Sequence, residues 1–253
     1  MIDMHSHILP NIDDGSKNIE QSLQLLKEAS DAGFTDIVST SHYLEGYYEE
    51  NVEKRTELLN NLIDNSNTNL KLHLGSEIYI SEKIVELIKE NKASTINNSR
   101  YVLFELPMNN NVLYLKDVIF ELIENDFIPI IAHPERYSYV QKNPSMLIEL
   151  IQMGVLFQSN YGSIVGYYGK EAEKTVKILL KNNFVHFLGS DVHRPNTIYK
   201  IMPNILKKLE KLIGKEKLYE ISIYNPSVVL QDGNIDVDYP QNIKLSFWDK
   251  IIK

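Results

Sequence analysis

Nine histidine and acidic side chains are distributed along this sequence in a way that would let them bind metal ions together. His5 and His7 are two residues apart, and Asp191 and His193 repeat that spacing. Residues i and i+2 of an extended strand point to the same side, about 6.6 Å apart along the chain, so each pair could bind one ion. The full set is His5, His7, Asp14, His42, Glu77, Glu105, His133, Asp191 and His193.

Nine ligands are too many for a single ion, which takes about four to six. We therefore expect two or three divalent ions, with a carboxylate such as Glu77 shared between two of them. Nitrogen and oxygen ligands without sulfur suit Mn²⁺, Fe²⁺ or Zn²⁺. Asp14 also has an ordinary interpretation, as a turn or capping residue before a helix at 18, and at this point both interpretations stay open.

The candidate ligands fall at the ends of β-rich runs that alternate with amphipathic stretches. The predicted strands are 2–5, 36–40, 70–75, 101–105, 129–133, 155–159 and 185–190, and the predicted helices lie near 18–33, 49–65, 81–91, 113–125, 144–153, 170–182 and 200–213. This alternation is typical of parallel strands joined by helices. Seven units without a linker predict an α/β fold, a distorted (β/α)7 TIM-like barrel. An open doubly wound sheet is the second choice, but it usually carries a glycine-rich loop after its first strand, and none is present.

In such a barrel the carboxyl ends of the strands meet at one mouth. Six of the seven predicted strands end in candidate ligands, whereas the sixth ends in Gln158-Ser159-Asn160 and offers no strong one. A lone histidine or carboxylate at a strand end is usually a surface or hydrogen-bonded residue. Their repetition at equivalent places instead indicates one shared site. His73 and His186 lie inside predicted strands, and we interpret them as packing or surface residues.

The composition limits the class of protein. The formal net charge of −8 argues against nucleic-acid binding, which needs a basic surface. The chain has no cysteine, so it has no disulfide and no thiolate metal site. No run approaches the roughly 18 apolar residues of a membrane span, and the first residues lack the pattern of a signal peptide. We therefore expect a cytoplasmic protein.

Six short motifs together resemble a known superfamily. DMHSH, TSH, GSE, FELP, AHPER and SDVH are similar to the motifs of the polymerase and histidinol phosphatase (PHP) superfamily of metal-dependent phosphoesterases. DMHSHILPNIDDG combined with AHPER resembles the bacterial capsule-type, manganese-dependent protein-tyrosine phosphatases of that superfamily. The resemblance runs from residue 1 to about residue 230. It implies a trinuclear site in a distorted seven-unit barrel. It also implies a substrate, the phosphorylated tyrosine cluster of a partner kinase that controls capsule or exopolysaccharide synthesis.

The resemblance also implies a role for each candidate residue. It implies three metal sites, formed by His5, His7, Glu77 and Asp191, by Glu77, Glu105 and His133, and by Asp14, His42 and His193. Arg136, in AHPER, matches the phosphate-binding arginine of the family. Arg194 is the second catalytic candidate, but it follows His193 directly, whereas related sequences place their second arginine several residues further on.

Three divalent ions would resolve an apparent conflict between an acidic protein and an anionic substrate. Against four carboxylates they leave the cluster near +2, and Arg136 raises this to about +3. Tyrosinate, with a pKa near 10, is a fair leaving group, so a strong general acid is dispensable. The chain has no cysteine, which excludes the thiolate nucleophile of the commonest tyrosine phosphatases.

Three other functions compete with this hypothesis. A small-molecule phosphatase such as histidinol phosphatase would use the same metals, and turnover of phosphopeptide against histidinol phosphate separates the two. A non-catalytic binding module on a decayed barrel would have lost ligands, but all nine are present. A nuclease acting on DNA ends fits poorly with the acidic charge.

The last part of the chain is predicted to differ from the barrel. We expect the barrel to cover residues 1–230 and a tail to cover residues 231–253. The tail begins with the polar, Asp-rich DGNIDVDYPQ and ends with KLSFWDKIIK, which is apolar and basic. The end could be a short amphipathic anchor for a membrane surface or a partner kinase, but folding back on the barrel is the favoured interpretation.

Overall fold

The computed structural model describes residues 1–237, which form nine strands and nine α-helices with short 3₁₀ turns and one π-helical segment (Glu220–Tyr224) between them. The strands are β1 (Ile2–Ser6), β2 (Asp36–Ser39), β3 (His42–Tyr43), β4 (Lys71–Leu74), β5 (Glu77–Tyr79), β6 (Tyr101–Glu105), β7 (Ile128–Ala132), β8 (Leu156–Asn160) and β9 (Phe187–Gly189). The helices are α1 (Ile19–Asp31), α2 (Val52–Asn65), α3 (Ile84–Lys89), α4 (Leu115–Glu124), α5 (Ser138–Lys142), α6 (Leu147–Gln152), α7 (Lys170–Lys181), α8 (Met202–Tyr219) and α9 (Asn225–Leu230).

The nine strands form a curled parallel sheet with seven positions. Two positions are each filled by two successive strands, and we call each position a stave of the barrel. One sheet has the order β1-β2-β4 and the other has the order β3-β5-β6-β7-β8-β9. β2 and β3 continue one another across Thr40 and Ser41, and β4 and β5 continue one another across Gly75 and Ser76. The first and last staves are joined where the amide of Asp191 donates to the carbonyl of His5 at 2.8 Å. The α/β fold with a distorted seven-unit barrel is therefore confirmed.

The strands β1 and β6 to β9 are buried on both faces, which explains their nearly continuous apolar runs, whereas β4 is only partly buried. In β6, Tyr101 and Leu103 point into the barrel, where they meet side chains such as Phe187. Val102 and Phe104 alternate with them and pack against the surrounding helices. This two-sided burial positions the carboxyl ends of the staves rigidly at one edge.

Local signals place most of the helices. Asn18 caps α1 through its side chain, which accepts a hydrogen bond from the amide of Gln21, and Gly33, at φ +88°, follows the end of that helix.

The prediction of a last helix near 200–213 was too short. Helical structure resumes beyond Gly214, where φ is +80°, and continues through α9. A glycine at this position predicts the end of a helix, because glycine with positive φ commonly follows one. The chain nevertheless returns to helical geometry after Gly214.

A buried arginine holds the two broken staves together. Arg55 on α2 is fully buried, and its guanidinium donates to the carbonyl oxygens of Ser41 at 2.8 Å and His42 at 2.6 Å. It also donates to the hydroxyl of Ser76 at 2.9 Å and to the carbonyl of Glu50 at 2.7 Å. Burial lowers the pKa of Arg55 to about 10, so the side chain stays charged at neutral pH. Three of its four acceptors are backbone carbonyl oxygens, and those of Ser41 and His42 lie at a strand break.

The start of the predicted tail is docked on the barrel. Asp232 accepts from the backbone and side chain of Arg100, and the carbonyl of Gly233 accepts from the hydroxyl of Tyr101 at 2.8 Å. Ile235 and Val237 pack against the interior cluster at the amino-terminal ends of the strands. The proposed amphipathic segment KLSFWDKIIK lies outside the described residues.

Replacing Arg55 with methionine, which has a similar length and no charge, should lower the free energy of unfolding by about 4 kcal/mol. The loss arises because the carbonyl of His42 loses a charged donor and the carbonyl of Ser41 keeps only the Glu77 amide at 3.3 Å, at about 1–3 kcal/mol for each lost bond. Denaturant unfolding measures the change. Lys54→Met on the same helix is the matched control, since its ion pair with Glu57 is exposed and such pairs contribute little to stability. Equal effects of the two substitutions would contradict this role of Arg55.

Candidate metal centre

The nine predicted ligands converge at the carboxyl ends of the staves. Their donor atoms form three overlapping groups within 4.8 Å, which are His7, Asp14, His42 and His193, then His5, His7 and Glu77, and then His42, Glu77 and Glu105. His133 and Asp191 border these groups. The grouping differs in detail from the one implied by resemblance, because His7 lies between two of the groups.

Two histidine ring nitrogens face each other at the centre. His5 Nδ1 lies 2.8 Å from Gln158 Oε1, and His7 Nδ1 lies 2.9 Å from Asp13 Oδ2, so each Nδ1 carries the ring proton as a donor. The Nε2 atoms of neutral His5 and His7 are therefore bare acceptors, yet they are only 3.1 Å apart. A proton or a metal cation between them is needed to make this contact favourable.

Glu77 brings further acceptor atoms to the same point. Its Oε2 atom is buried without a hydrogen-bond donor and lies 3.1 Å from His5 Nε2 and 3.3 Å from His7 Nε2. Its other oxygen lies 2.8 Å from His133 Nε2. Burial opposes ionisation of Glu77, but the charges of His5 and His42 outweigh it and hold the pKa well below its usual range. An ionised, fully buried carboxylate between imidazoles is the arrangement that a bridging metal ligand requires.

Asp191 divides its two oxygens between different tasks. Oδ2 accepts from Arg136 Nη1 and Asn160 Nδ2, each at 2.7 Å. Oδ1 faces the histidines, at 3.4 Å from His7 Nε2. Asp191 and His133 adopt left-handed backbone conformations, with φ of +51° and +33°. Such conformations cost about 1–3 kcal/mol each in non-glycine residues and collect at functional sites.

The third group lies nearest the solvent. His193 Nδ1 donates to the carbonyl of Asp191 at 3.0 Å, and its Nε2 lies 3.1 Å from Asp14 Oδ1. His42 Nε2 lies 3.5 Å from the same oxygen. Burial would lower the pKa of His42, but the carboxylate of Glu77 raises it to about 9.

The burial of these side chains shows where the centre opens. His5, His7 and Glu77 are completely buried, whereas the exposed fraction reaches 17% for His42 and 55% for Asp14. On the other side Arg136 is 27% exposed. A ligand in solution therefore reaches the centre between His42, Asp14 and Arg136.

Three residues that orient the ligands were missed by sequence reasoning. Asp13 accepts from His7 Nδ1 and from the amide of His42, whereas only its neighbour Asp14 was predicted to take part. Gln158 and Asn160, on the stave that was predicted to contribute nothing, hold His5 and Asp191. Burial works against ionisation of Asp13, yet the charge of His7 keeps its pKa well below the usual range. The motif DDG contained a signal for this residue, since both of its carboxylates lie beside the same predicted strand end.

Two glycines are required by close approach rather than by a turn. A Cβ atom on Gly15 would lie 2.4 Å from the carbonyl oxygen of His7. A Cβ atom on Gly189 would lie 2.5 Å from Cβ of His5. Any larger residue at either position would displace a histidine of the centre.

The two predicted catalytic arginines are placed differently. Arg136 contacts Asp191, and its guanidinium carbon lies 4.6 Å from the ring centre of Tyr168. Arg194 Nη1 donates to the carbonyl oxygens of Asp14, Gly15 and His193. Arg194 thus braces the loop that carries Asp14.

The other two histidines lie away from the centre, as predicted. His186 accepts from the amide of Phe157 at 3.0 Å, and burial lowers its pKa to about 3. His73 lies 2.9 Å from Asp36 near the opposite end of the barrel. Both are packing residues.

Comparison with known proteins assigns the family. The model of the family described as "Capsular polysaccharide synthesis, CpsB/CapC" matches residues 1–231. This chain belongs to the CpsB/CapC family. CapC of Staphylococcus aureus is 37% identical to it over 255 residues, which cover 98% of each chain. The tyrosine-protein phosphatase YwqE of Bacillus subtilis is 30% identical and covers 96% of this chain and 97% of its own.

Solved structures of the CpsB/CapC family share the fold closely. YwqE of Bacillus subtilis and CpsB of Streptococcus pneumoniae are described as unique metal-dependent tyrosine phosphatases, and a chain of that study superposes with a TM-score of 0.91. It is 30% identical and covers 96% of this chain and 100% of its own. A histidinol phosphate phosphatase of Lactococcus lactis, at 15% identity, 83% and 93% coverage and a TM-score of 0.57, shares the fold. The resemblance inferred from the motifs is confirmed.

No helix within residues 1–237 is long and apolar enough to cross a membrane.

Asp13→Asn should weaken metal binding about 10–100-fold, the usual effect of removing the partner that orients a metal-binding imidazole. The asparagine can turn its NH₂ toward His7 and favour the wrong tautomer, which places a proton on Nε2. Titration of chelator-treated protein with Mn²⁺ measures the change. Asp31→Asn, which alters an exposed ion pair with Lys27, is the control. Equal affinity in the two variants would rule out this role.

Metal affinity should rise with pH through about pH 9 and level off only above that pH. After chelation, His42 retains a proton until about pH 9, and the pKa values of His5 and His7 are raised above 6.5, because the nearby carboxylates outweigh burial. A metal must displace these protons, so binding releases them to the buffer. Calorimetry in buffers of different ionisation enthalpy counts them. A pH-independent affinity without proton release would contradict the geometry.

Proposed function

We propose that this CpsB/CapC protein is a metal-dependent protein-tyrosine phosphatase that acts on a partner protein of capsule or exopolysaccharide synthesis. The observation that carries the proposal is the set of facing acceptor atoms around Glu77 Oε2, with Arg136 at the opening. Only cations satisfy such a set, and cations beside an arginine make a site for a phosphate dianion. The names of YwqE and CpsB support tyrosine as the residue that carries the phosphate.

We assign two or three divalent ions to the centre, and Mn²⁺ is the ion we propose, with Fe²⁺ or Zn²⁺ as the other candidates. The proposed ligands are the nine residues His5, His7, Asp14, His42, Glu77, Glu105, His133, Asp191 and His193. Glu77 would help to hold more than one ion, because its two oxygens face different histidines. The ions, when bound, supply an activated water and neutralise charge on the attacking and leaving oxygens.

Side chains of this protein orient the phosphate and keep the ring protons of the metal-binding histidines on Nδ1. Arg136 keeps Nη1 on Asp191 and has further N–H groups for the phosphoryl oxygens, which gain charge as the reaction proceeds. Water adds its oxygen to phosphorus and releases one proton to solvent, and the bond from phosphorus to the tyrosyl oxygen breaks. Tyrosinate then takes a proton from solvent. Gln158 and Asp13 keep the Nδ1 protons of His5 and His7 in place throughout.

The substrate that we propose is the phosphotyrosine-bearing tail of a bacterial tyrosine kinase. The family description, capsular polysaccharide synthesis, supports a substrate that takes part in that process. Any contact of the phosphatase with a membrane is peripheral in this proposal and occurs through the kinase. We propose no nucleic-acid partner, because the net charge is −8.

Complete removal of metal should abolish hydrolysis of a phosphotyrosyl peptide, and added Mn²⁺ should restore it. Phosphate release measures the activity before chelation, after chelation and after reconstitution. Histidinol phosphate, tested at the same concentrations, should be the poorer substrate. Activity that survives verified metal removal would falsify the metal-dependent mechanism, and a preference for histidinol phosphate would identify a small-molecule phosphatase.

Arg136→Met and His5→Ala should both remove most of the turnover, but for different reasons. Arg136→Met loses a donor to the transition state, which costs about 10²–10³ in kcat, and it retains its metal. His5→Ala loses a ligand and therefore metal content, measured by elemental analysis. Loss of metal in Arg136→Met would contradict the assignment of Arg136 to the phosphate.

A further inference from the structure

A tyrosine lies at the opening of the metal centre, beside the candidate ligand His42. The ring of Tyr48 is parallel to that of His42 within 16°, with the ring centres 5.9 Å apart. Tyr48 is partly exposed, and His42 is one of the more exposed members of the centre. The Tyr48 ring therefore forms part of the rim through which a ligand enters.

The backbone holds this ring in a fixed place. Leu44 and Tyr48 exchange two backbone hydrogen bonds, at 3.0 and 2.8 Å, which close a tight turn directly after β3. Gly46 occupies the turn with φ of +81°, and its amide donates to the Glu49 carboxylate at 2.7 Å. The end of the turn is held by Arg55, which donates to the carbonyl of Glu50. An aromatic side chain on such an anchored turn loses little freedom when it binds a ligand.

Tyr168, on the other side of the opening, is already committed to other contacts. The guanidinium of Arg136 lies over its ring, and its hydroxyl donates to Asp191 Oδ2 at 3.3 Å. Tyr47, at the tip of the turn, is 80% exposed and forms no part of the ring contact with His42. Tyr48 is thus well placed to meet a group that projects from a phosphate bound between His42 and Arg136.

We propose that Tyr48 is a specificity-determining residue whose ring packs against the aromatic ring of the substrate. The inference rests on the proposed phosphatase function and adds the reason why the site prefers an aryl over an alkyl phosphate. Offset-stacked or edge-to-face aromatic pairs add a factor of about 2–13 in affinity beyond the area they bury. The phosphate dianion is bound by the metal centre and Arg136, which accept any phosphate monoester, so the ring contact supplies selectivity.

Two phosphonates test the proposal on the metal-loaded protein without relying on turnover. Phenylphosphonate and methylphosphonate share the anionic group and differ in the ring, and calorimetry gives the dissociation constant of each. The wild-type protein should prefer phenylphosphonate. Tyr48→Ala should reduce that preference about fivefold, with methylphosphonate affinity and metal content unchanged. Tyr48→Phe should retain the preference, and Tyr47→Ala is the matched control on the same turn.

Two results would overturn the role of Tyr48. An undiminished phenyl preference in Tyr48→Ala would show that the ring is not contacted. Equal weakening of both phosphonates would show that Tyr48 supports the phosphate site instead. Both differ from failure of the proposed function, in which metal-loaded wild-type protein would release no phosphate from a phosphotyrosyl peptide.

Discussion

The structure depends on an electrostatic conflict that only cations can relieve. His5 and His7 direct their Nε2 atoms at each other across 3.1 Å, and a carboxylate oxygen of Glu77 lies 3.1–3.3 Å from both. The surrounding protein enforces this arrangement, because Gln158 and Asp13 take up the other ring nitrogens. A cluster of acceptors is therefore fixed in advance, and the free energy of metal binding offsets the cost of assembling it.

The distortion of the barrel also helps to position the metal-binding side chains. The interruptions at Thr40–Ser41 and Gly75–Ser76 come immediately before His42 and Glu77. The two staves therefore change course just before the residues that supply ligands. A break in a strand exposes carbonyl groups that need donors. The buried guanidinium of Arg55 provides them for Ser41 and His42. It also anchors the turn that carries Tyr48, so one side chain links the fold to the rim of the centre.

Much of this arrangement was predictable because it depends on local patterns. The i, i+2 pairs and the repeated placement of ligands at strand ends indicated a barrel mouth with His5, His7 and Asp191 near one another. Residues that act through distant contacts could not be predicted. Gln158 is 153 residues from His5, and nothing in its neighbourhood shows which ring nitrogen it holds. Arg55 looked like any charged helix residue, because its partners are carbonyls exposed by strand breaks that the residue pattern does not reveal.

The most direct measurement is anomalous diffraction from crystals of the Mn²⁺-loaded protein, collected at the manganese absorption edge. We expect one peak within coordination distance of both His5 Nε2 and His7 Nε2, which lie 3.1 Å apart. We expect a second peak among Asp14, His42 and His193. Crystals of active protein with no anomalous peak among these side chains, or with peaks only elsewhere, would contradict a metal centre at this place.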